Sequence, residues 1–177
     1  ANTMLKHTGY KVGKSICENN CEALIKKILE NSKKYSCKIT CPVDVVVSKN
    51  LENKGKDKDI NEIDDNEMIL DIGPKTISSI ETIINNSNTV LWNGPAGYFE
   101  NPNFQNGTKQ ILEAISQKTT NDKIFSVAGG GETVAAINKF KKFNSFTFVS
   151  TAGGAFLEYL EGKNLPGIKA LNQNVWI

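Results

Sequence analysis

The chain has 177 residues, 39% of them hydrophobic, with a formal net charge of +2. That length suits one domain around a single core, and so small a charge argues against nucleic-acid or anionic-membrane partners held by bulk electrostatics. No apolar run approaches the roughly 20 residues of a membrane span, and the polar N-terminal stretch lacks the apolar segment of a signal peptide, so a soluble, cytoplasmic protein is expected.

Residues 14–34 predict a helix, with Ile16, Ala23, Leu24 and Ile28 as its apolar stripe and Ile25 and Leu29 widening it. Residues 36–40 predict a short strand and 43–48 a stronger one. The second, Val43-Asp44-Val45-Val46-Val47, is β-branched and nearly continuous, as in a parallel sheet covered on both faces. Four cysteines, Cys17, Cys21, Cys37 and Cys41, repeat a C-x3-C spacing that resembles paired metal ligands. Helix spacing accounts for the first pair and strand alternation for the second, so no zinc is expected. Reduced thiols fit an intracellular compartment. The stretch 49–67 is dense in charges of both signs and reads as a solvated hairpin or loop without an apolar face.

A strand over 68–72 then runs into Gly73-Pro74. A helix over 75–86 follows, with Ile77, Ile80, Ile83 and Ile84 on one side. A strand over 89–92 ends in Asn93-Gly94-Pro95, and 107–117 is a helix. The strand 123–128 meets three glycines, 129–131, before a helix over 133–140. The strand 146–150 meets Gly153-Gly154 before a helix over 155–161, and Leu165-Pro166-Gly167 is a turn before the tail. This alternation predicts an α/β fold of three αβα layers around a parallel, Rossmann-like sheet. Right-handed crossovers bring the strand C-terminal ends to one edge, where such sheets bind ligands.

Three turns at that edge are unusual: 92–97, 128–133 and 150–154. The last two share one pattern, an apolar strand, a turn of small residues and an immediate helix. Glycine admits close backbone approach, and the first amides of the helix face outward as anion donors. Packing alone explains one such turn; two of the same pattern plus a third glycine loop favour phosphate binding. Two other patterns fail on inspection. Residues 9–15, GYKVGKS, fall one residue short of a Walker loop and follow a helix, and 129–134 carry Val134 where the dinucleotide fingerprint needs glycine or alanine. His7 is the single histidine, and no nucleophilic triad forms around it.

At these motifs the chain resembles the phosphoglycerate kinase family. LWNGPAGYFE (91–100), SVAGGGETVAAI (126–137) and STAGGAFLEYLEGKNLPGIKAL (150–171) are similar to the C-terminal lobe of that family. So, in the same order, are ANTMLKHTGYKVGKS (1–15), PVDVVV (42–47) and LDIGPKT (70–76). The resemblance takes in residues 1–177 apart from 49–67 and the tail. It implies a nucleotide-binding C-terminal lobe, incomplete on the N-terminal side of its sheet and without the glycerate-binding N-terminal lobe. It implies phosphoryl transfer between 1,3-bisphosphoglycerate and Mg-ADP, giving 3-phosphoglycerate and ATP, in a protein monomeric at full length. A chain that opens on Ala1 rather than Met agrees with a processed chain or a fragment, which would be inactive alone. By the same resemblance Leu70 touches the base and Glu100 the ribose. Asn93 and Gly94 line the nucleotide path. Gly130, Gly131, Glu132 and Thr133 meet the phosphates and magnesium, Glu132 nearest the metal. Gly130, Gly153 and Gly154 face the group in transfer. Two departures stand out: Glu132 where the family usually has Asp, and Ala152 where many members have glycine.

Overall fold

The structure, a computed structural model, describes residues 1–122 and 124–172. The chain forms two compact units. Unit 1 comprises Ala1–Ile83 and Ala96–Ile111; unit 2 comprises Ile84–Pro95 and Leu112–Ile177. Length alone gave no sign of this division.

Unit 1 opens with helices α1 (Asn2–His7) and α2 (Glu22–Lys34). A three-stranded sheet comes next, β1 (Asp44–Ser48), β2 (Lys56–Asp59) and β3 (Met68–Ile72), in the order β2-β1-β3. Both pairings are antiparallel, which corrects the parallel setting expected for Val43–Val47. The connection 49–55 is too short for a parallel crossover, which needs about a dozen residues or more. The run of valines still has its expected effect: Val45 and Val47 are fully buried on one face. They pack with Leu5, Val12, Ile60 and Ile63, and with the partly buried Cys17, Cys41 and Ile69. Each such side chain stabilises the fold by about 1.5–3 kcal/mol.

The charged stretch is therefore better ordered than its composition suggested. β2, Lys-Asp-Lys-Asp, is a charged edge strand of the kind that discourages further pairing. Ile60 and Ile63 anchor the segment between β2 and β3, correcting the expectation of no apolar side. Lys58 Nζ then bridges Asp64 (2.8 Å) and the buried Glu67 (2.9 Å). Those hydrogen bonds raise the Lys58 pKa above its ordinary value, and the bond from Lys58 lowers that of Asp64.

Two further expectations change here. The helix foreseen from residue 14 starts at Glu22. Residues 13–15 instead extend along β3: Gly13 bridges Met68, and Ser15 Oγ accepts the Ile69 amide at 2.8 Å. Cys17 thus lies in irregular chain, and Cys21 is the N-cap of α2 rather than a residue inside it. Residues 36–40 form no strand. Among the described residues no group of three or more His, Cys, Asp or Glu side chains could hold a metal ion, and no helix is long and apolar enough to cross a membrane.

Helix α3 (Pro74–Asn85) leaves unit 1, and α4 (Asn106–Asp122) runs from unit 1 into unit 2. Unit 2 is built on β4 (Thr89–Asn93), β5 (Phe125–Gly129) and β6 (Phe148–Ser150), with β5 central and both pairings parallel. The start foreseen for β5 at Lys123 lies outside the described residues. Its helices are the C-terminal part of α4, then α5 (Gly131–Lys139), α6 (Gly154–Leu160) and α7 (Pro166–Asn172). The α/β class with a parallel sheet holds. Trp92, Leu112, Ile115, Ala128 and Ile137 form its buried interior.

The register puts Leu91, Val127 and Phe148 side by side on one sheet face, with Phe125 two residues along β5. Leu91, Phe125 and Phe148 are 46%, 51% and 57% exposed. Exposed apolar surface of this kind promotes association. The chain on its own is expected to scatter light increasingly with concentration, and Phe148→Ser with Leu91→Thr to suppress this; concentration-independent scattering by the unaltered chain would contradict it.

Candidate functional site

In unit 2 the parallel register places Asn93 opposite Gly129 and Gly129 opposite Ser150, so three strands end level with one another. Each then turns through a glycine with positive φ: Gly94 (+99°), Gly130 (+93°) and Gly153 (+50°). Parallel strands fed by helical crossovers impose this common edge.

The glycines divide by what surrounds them. A Cβ on Gly129 would lie 2.7 Å from the Phe156 ring, so packing explains that residue. Gly130 is explained by its backbone and by Asn93, whose Oδ1 would be 3.2 Å from a Cβ there. Gly131 and Gly154 face open space, with nothing within 4 Å of an added Cβ and no positive φ. Neither fold nor packing requires glycine at these two first helical positions.

The helix starts differ in the same sense. In unit 1, α3 begins against the buried carboxylate of Asp44, which accepts from the Lys75 and Thr76 amides, both at 2.8 Å. α4 begins against the buried Asp71, which accepts from Gly107 N–H at 2.8 Å. α5 and α6 have glycine N-caps and no side-chain cap. Apart from the Ala155 amide, which donates to the Ala152 carbonyl at 3.1 Å, their first amides meet no side-chain cap, and the helix dipole there favours negative charge. Of these four helix starts two meet a buried carboxylate and two do not; α1 and α2 also lack a side-chain cap, but neither starts on a glycine at the strand-end edge.

Other expected residues sit as follows. Asn93 is exposed on the edge and Glu132 is exposed on the first turn of α5, where it is the one acidic residue. Thr133 is wholly buried, and its Oγ1 accepts the Gly94 amide at 2.7 Å. Its hydroxyl thereby ties the 93–95 turn to the start of α5. Leu70 and Glu100 belong to unit 1. Leu70 lines a largely apolar cavity of about 510 Å³ with Ile16, Leu51, Ile69, Ala96 and Tyr98. Glu100 is exposed and does not line that cavity.

Asp71, Thr108 and Tyr98 escaped the sequence reading. The signal that could have flagged the first is an acid inside an apolar strand, Met68-Ile69-Leu70-Asp71-Ile72. Such a residue is buried only when hydrogen-bonded. Asp71 is 1% exposed, and burial pushes its carboxyl up to about 6 against the opposing pull of the Gly107, Ile72 and Asn106 amides.

Known proteins resemble this chain along most of its length. The family model for phosphoglycerate kinase matches residues 1–163. A phosphoglycerate kinase of Xanthobacter autotrophicus is 44% identical over 175 residues, covering 98% of this chain and 44% of the relative. One of Francisella philomiragia is 44% identical over the whole of this chain and 45% of its own length. The solved phosphoglycerate kinase of Coxiella burnetii superposes with a TM-score of 0.88 at 40% identity, over 95% of this chain and 43% of that one. The chain thus spans less than half the length of the relatives it matches. With the family model covering all three glycine turns, and the relatives sharing the chain from end to end, the chain belongs to the phosphoglycerate kinase family.

Proposed function

We propose that this chain is part of the nucleotide-binding, C-terminal lobe of a phosphoglycerate kinase. The full protein, a cytoplasmic glycolytic monomer, would pass a phosphoryl group from the carboxyl of 1,3-bisphosphoglycerate to Mg-ADP. The observation that carries the reading is the pair of uncapped, glycine-started helices, α5 and α6, at the level edge of a parallel sheet.

Phosphoryl transfer asks little covalent chemistry of the protein. It needs the phosphates held in place and the charge on the moving group neutralised. The amides of Gly131, Glu132 and Thr133 would donate to the nucleotide phosphates. Gly130, Gly153 and Gly154 would let the moving phosphoryl group approach backbone without a Cβ between. Asn93 and Gly94 would border the nucleotide path. Magnesium would arrive with the nucleotide as part of the substrate. A lone exposed carboxylate, Glu132, fits that role, since it leaves the phosphate oxygens to supply the other ligands. In unit 1 the apolar cavity beside Leu70 would take the base, and Glu100 would bond the ribose.

The chain contains no arginine. The glycerate site that the resemblance implies would belong to the N-terminal lobe, and so would any arginine that neutralises the moving group. The chain alone is therefore expected to form no ATP from 1,3-bisphosphoglycerate and Mg-ADP, and to gain activity when the rest of the protein is supplied. Calorimetry with Mg-ADP is the companion measurement. Turnover by the chain alone would overturn the two-lobe reading, and tight Mg-ADP binding without any gain on adding the rest of the protein would favour a free-standing binding module.

A further inference from the structure

We propose that Asp71 is a positioning residue for the nucleotide cavity of unit 1, holding, together with Thr108, the 96–107 loop whose residues Ala96 and Tyr98 form one wall. This assignment rests on the reading of the cavity as the base site and adds to it the residue that sets its shape.

The loop is tied to its surroundings at several places besides Asn101, whose Nδ2 donates to the Leu51 carbonyl at 2.7 Å. Tyr98 N–H donates to the Leu70 carbonyl at 2.8 Å, joining one cavity wall to the other. Thr108 Oγ1, wholly buried, accepts the Ala96 and Gly97 amides at 3.1 and 3.2 Å. Asp71 Oδ2 accepts the Gly107 amide at 2.8 Å, while its Oδ1 accepts the Ile72 amide at 2.9 Å. The carboxylate is also wedged between two glycines. A Cβ on Gly97 or on Gly107 would lie 2.3 Å from Asp71 Oδ1. Asp71 therefore fills the space between both ends of the loop and takes an amide from one of them.

A group that served packing alone would do as well uncharged. A buried carboxylate is costly unless its hydrogen bonds need the charge. This one takes amides on both oxygens, and burial brings its titration up to about 6. The other charged group bearing on it is Asp57 of β2, whose repulsion acts in the same direction. The loop should accordingly be held differently on the two sides of pH 6. Because burial raises the pKa of this carboxyl, the closed loop holds the proton more tightly than an opened one, so the loop is favoured closed below pH 6 and weakens as pH rises through it.

The test compares the unaltered chain with Asp71→Asn and Thr108→Val, using Thr108→Ser to restore the hydroxyl. Amide hydrogen exchange at Gly97, Tyr98 and Gly107 is followed from pH 5 to 7, after correction for intrinsic rates, beside calorimetry with Mg-ADP. Protection in the unaltered chain should fall as pH rises through 6. In Asp71→Asn it should be low and flat, with Mg-ADP binding at least about tenfold weaker. Thr108→Val should behave likewise, and Thr108→Ser should recover. Equal protection and equal affinity in Asp71→Asn and the unaltered chain would overturn the assignment, as would a loosened loop with unchanged affinity. If the unaltered chain shows the pH-dependent protection and binds no Mg-ADP at millimolar concentration, the base-site reading fails, and the positioning role for a nucleotide fails with it.

Discussion

Gly131→Ala is expected to keep or raise the stability of unit 2 while lowering the phosphoryl-transfer rate of the complete enzyme by about tenfold to a hundredfold. The two halves of this expectation have opposite signs for separate physical reasons. An added methyl would touch nothing within 4 Å, and Gly131 has no positive φ to strain. Alanine is the better helix former by up to about 1 kcal/mol. A packing role for this glycine therefore predicts a silent or stabilising change. The phosphate role predicts harm, because oxygens held about 2.7–3.1 Å from the first amides have no room for a methyl beside them. Losing an oxyanion donor outright typically lowers rates by about 10²–10³. Here the amide remains and only its access is narrowed, so the effect should be smaller. Urea midpoints and kcat/KM measured on the same preparation decide the matter. A stabilised variant with unchanged kcat/KM would remove the phosphate edge from the mechanism. Gly154→Ala, with the same open surroundings, should move both quantities in the same directions.

The largest loss of stability is expected from Asp44→Ala. Asp44 is 4% exposed, at the start of β1, and its carboxylate serves a helix distant in sequence. It accepts from the Lys75 and Thr76 amides, each at 2.8 Å, and from Thr76 Oγ1 at 2.6 Å. Thr76 Oγ1 in turn accepts the Val43 and Asp44 amides at 3.0 and 3.2 Å, so strand and helix bond reciprocally. A hydrogen bond to a charged group is worth about 1.5–3 kcal/mol, and a buried donor left without a partner adds its own desolvation penalty. Because these bonds share one carboxylate they do not add, and a loss on the order of 3 kcal/mol is expected. Asp44→Asn keeps one acceptor and should lose less. Urea unfolding followed through unit 1 checks both. A shift below about 0.5 kcal/mol for Asp44→Ala would show that water replaces the carboxylate and that the cap is incidental.

The parts of unit 2 that matter most were legible because they are local. β4, β5 and β6 are short runs with glycine at or just past their ends, and a helix starts within a few residues of β5 and of β6. Such signals lie within a few residues of one another, and parallel crossovers then bring them together without further information. Unit 1 was less legible because its determinants are long-range. Nothing near Val45 says that its partner strand is Lys56–Asp59, since charge alternation reads as solvent exposure whether or not the backbone is paired. Ile60 and Ile63 were hidden by the charges beside them, although two isoleucines suffice to pin a loop to a core. The segment 14–21 carries residues that suit a helix, yet the bridge from Gly13 and the bond to Ser15 hold its start along β3. Tertiary pairing there overrides local propensity.

The candidate site divides along the same line. Gly130, Gly131, Gly153 and Gly154 announce themselves through spacing. The role of Thr133 in tying down Gly94, 39 residues away, does not. Nor does Asp71, whose partner amide lies 36 residues further on. The strand pattern around Asp71 holds one residue out of place, and that irregularity was the available clue.

Trp92 is 7% exposed, one residue before Asn93, and its ring stacks on Phe146 with centroids 6.0 Å apart at 15° between planes. The strand that delivers the first glycine turn to the edge thus ends in a built-in chromophore. The sequence's other tryptophan, Trp176, lies outside the described residues, and Trp176→Phe would leave a single emitter. Its emission would then record the opening of unit 2 without an attached dye, and would respond to any ligand that shifts the end of β4.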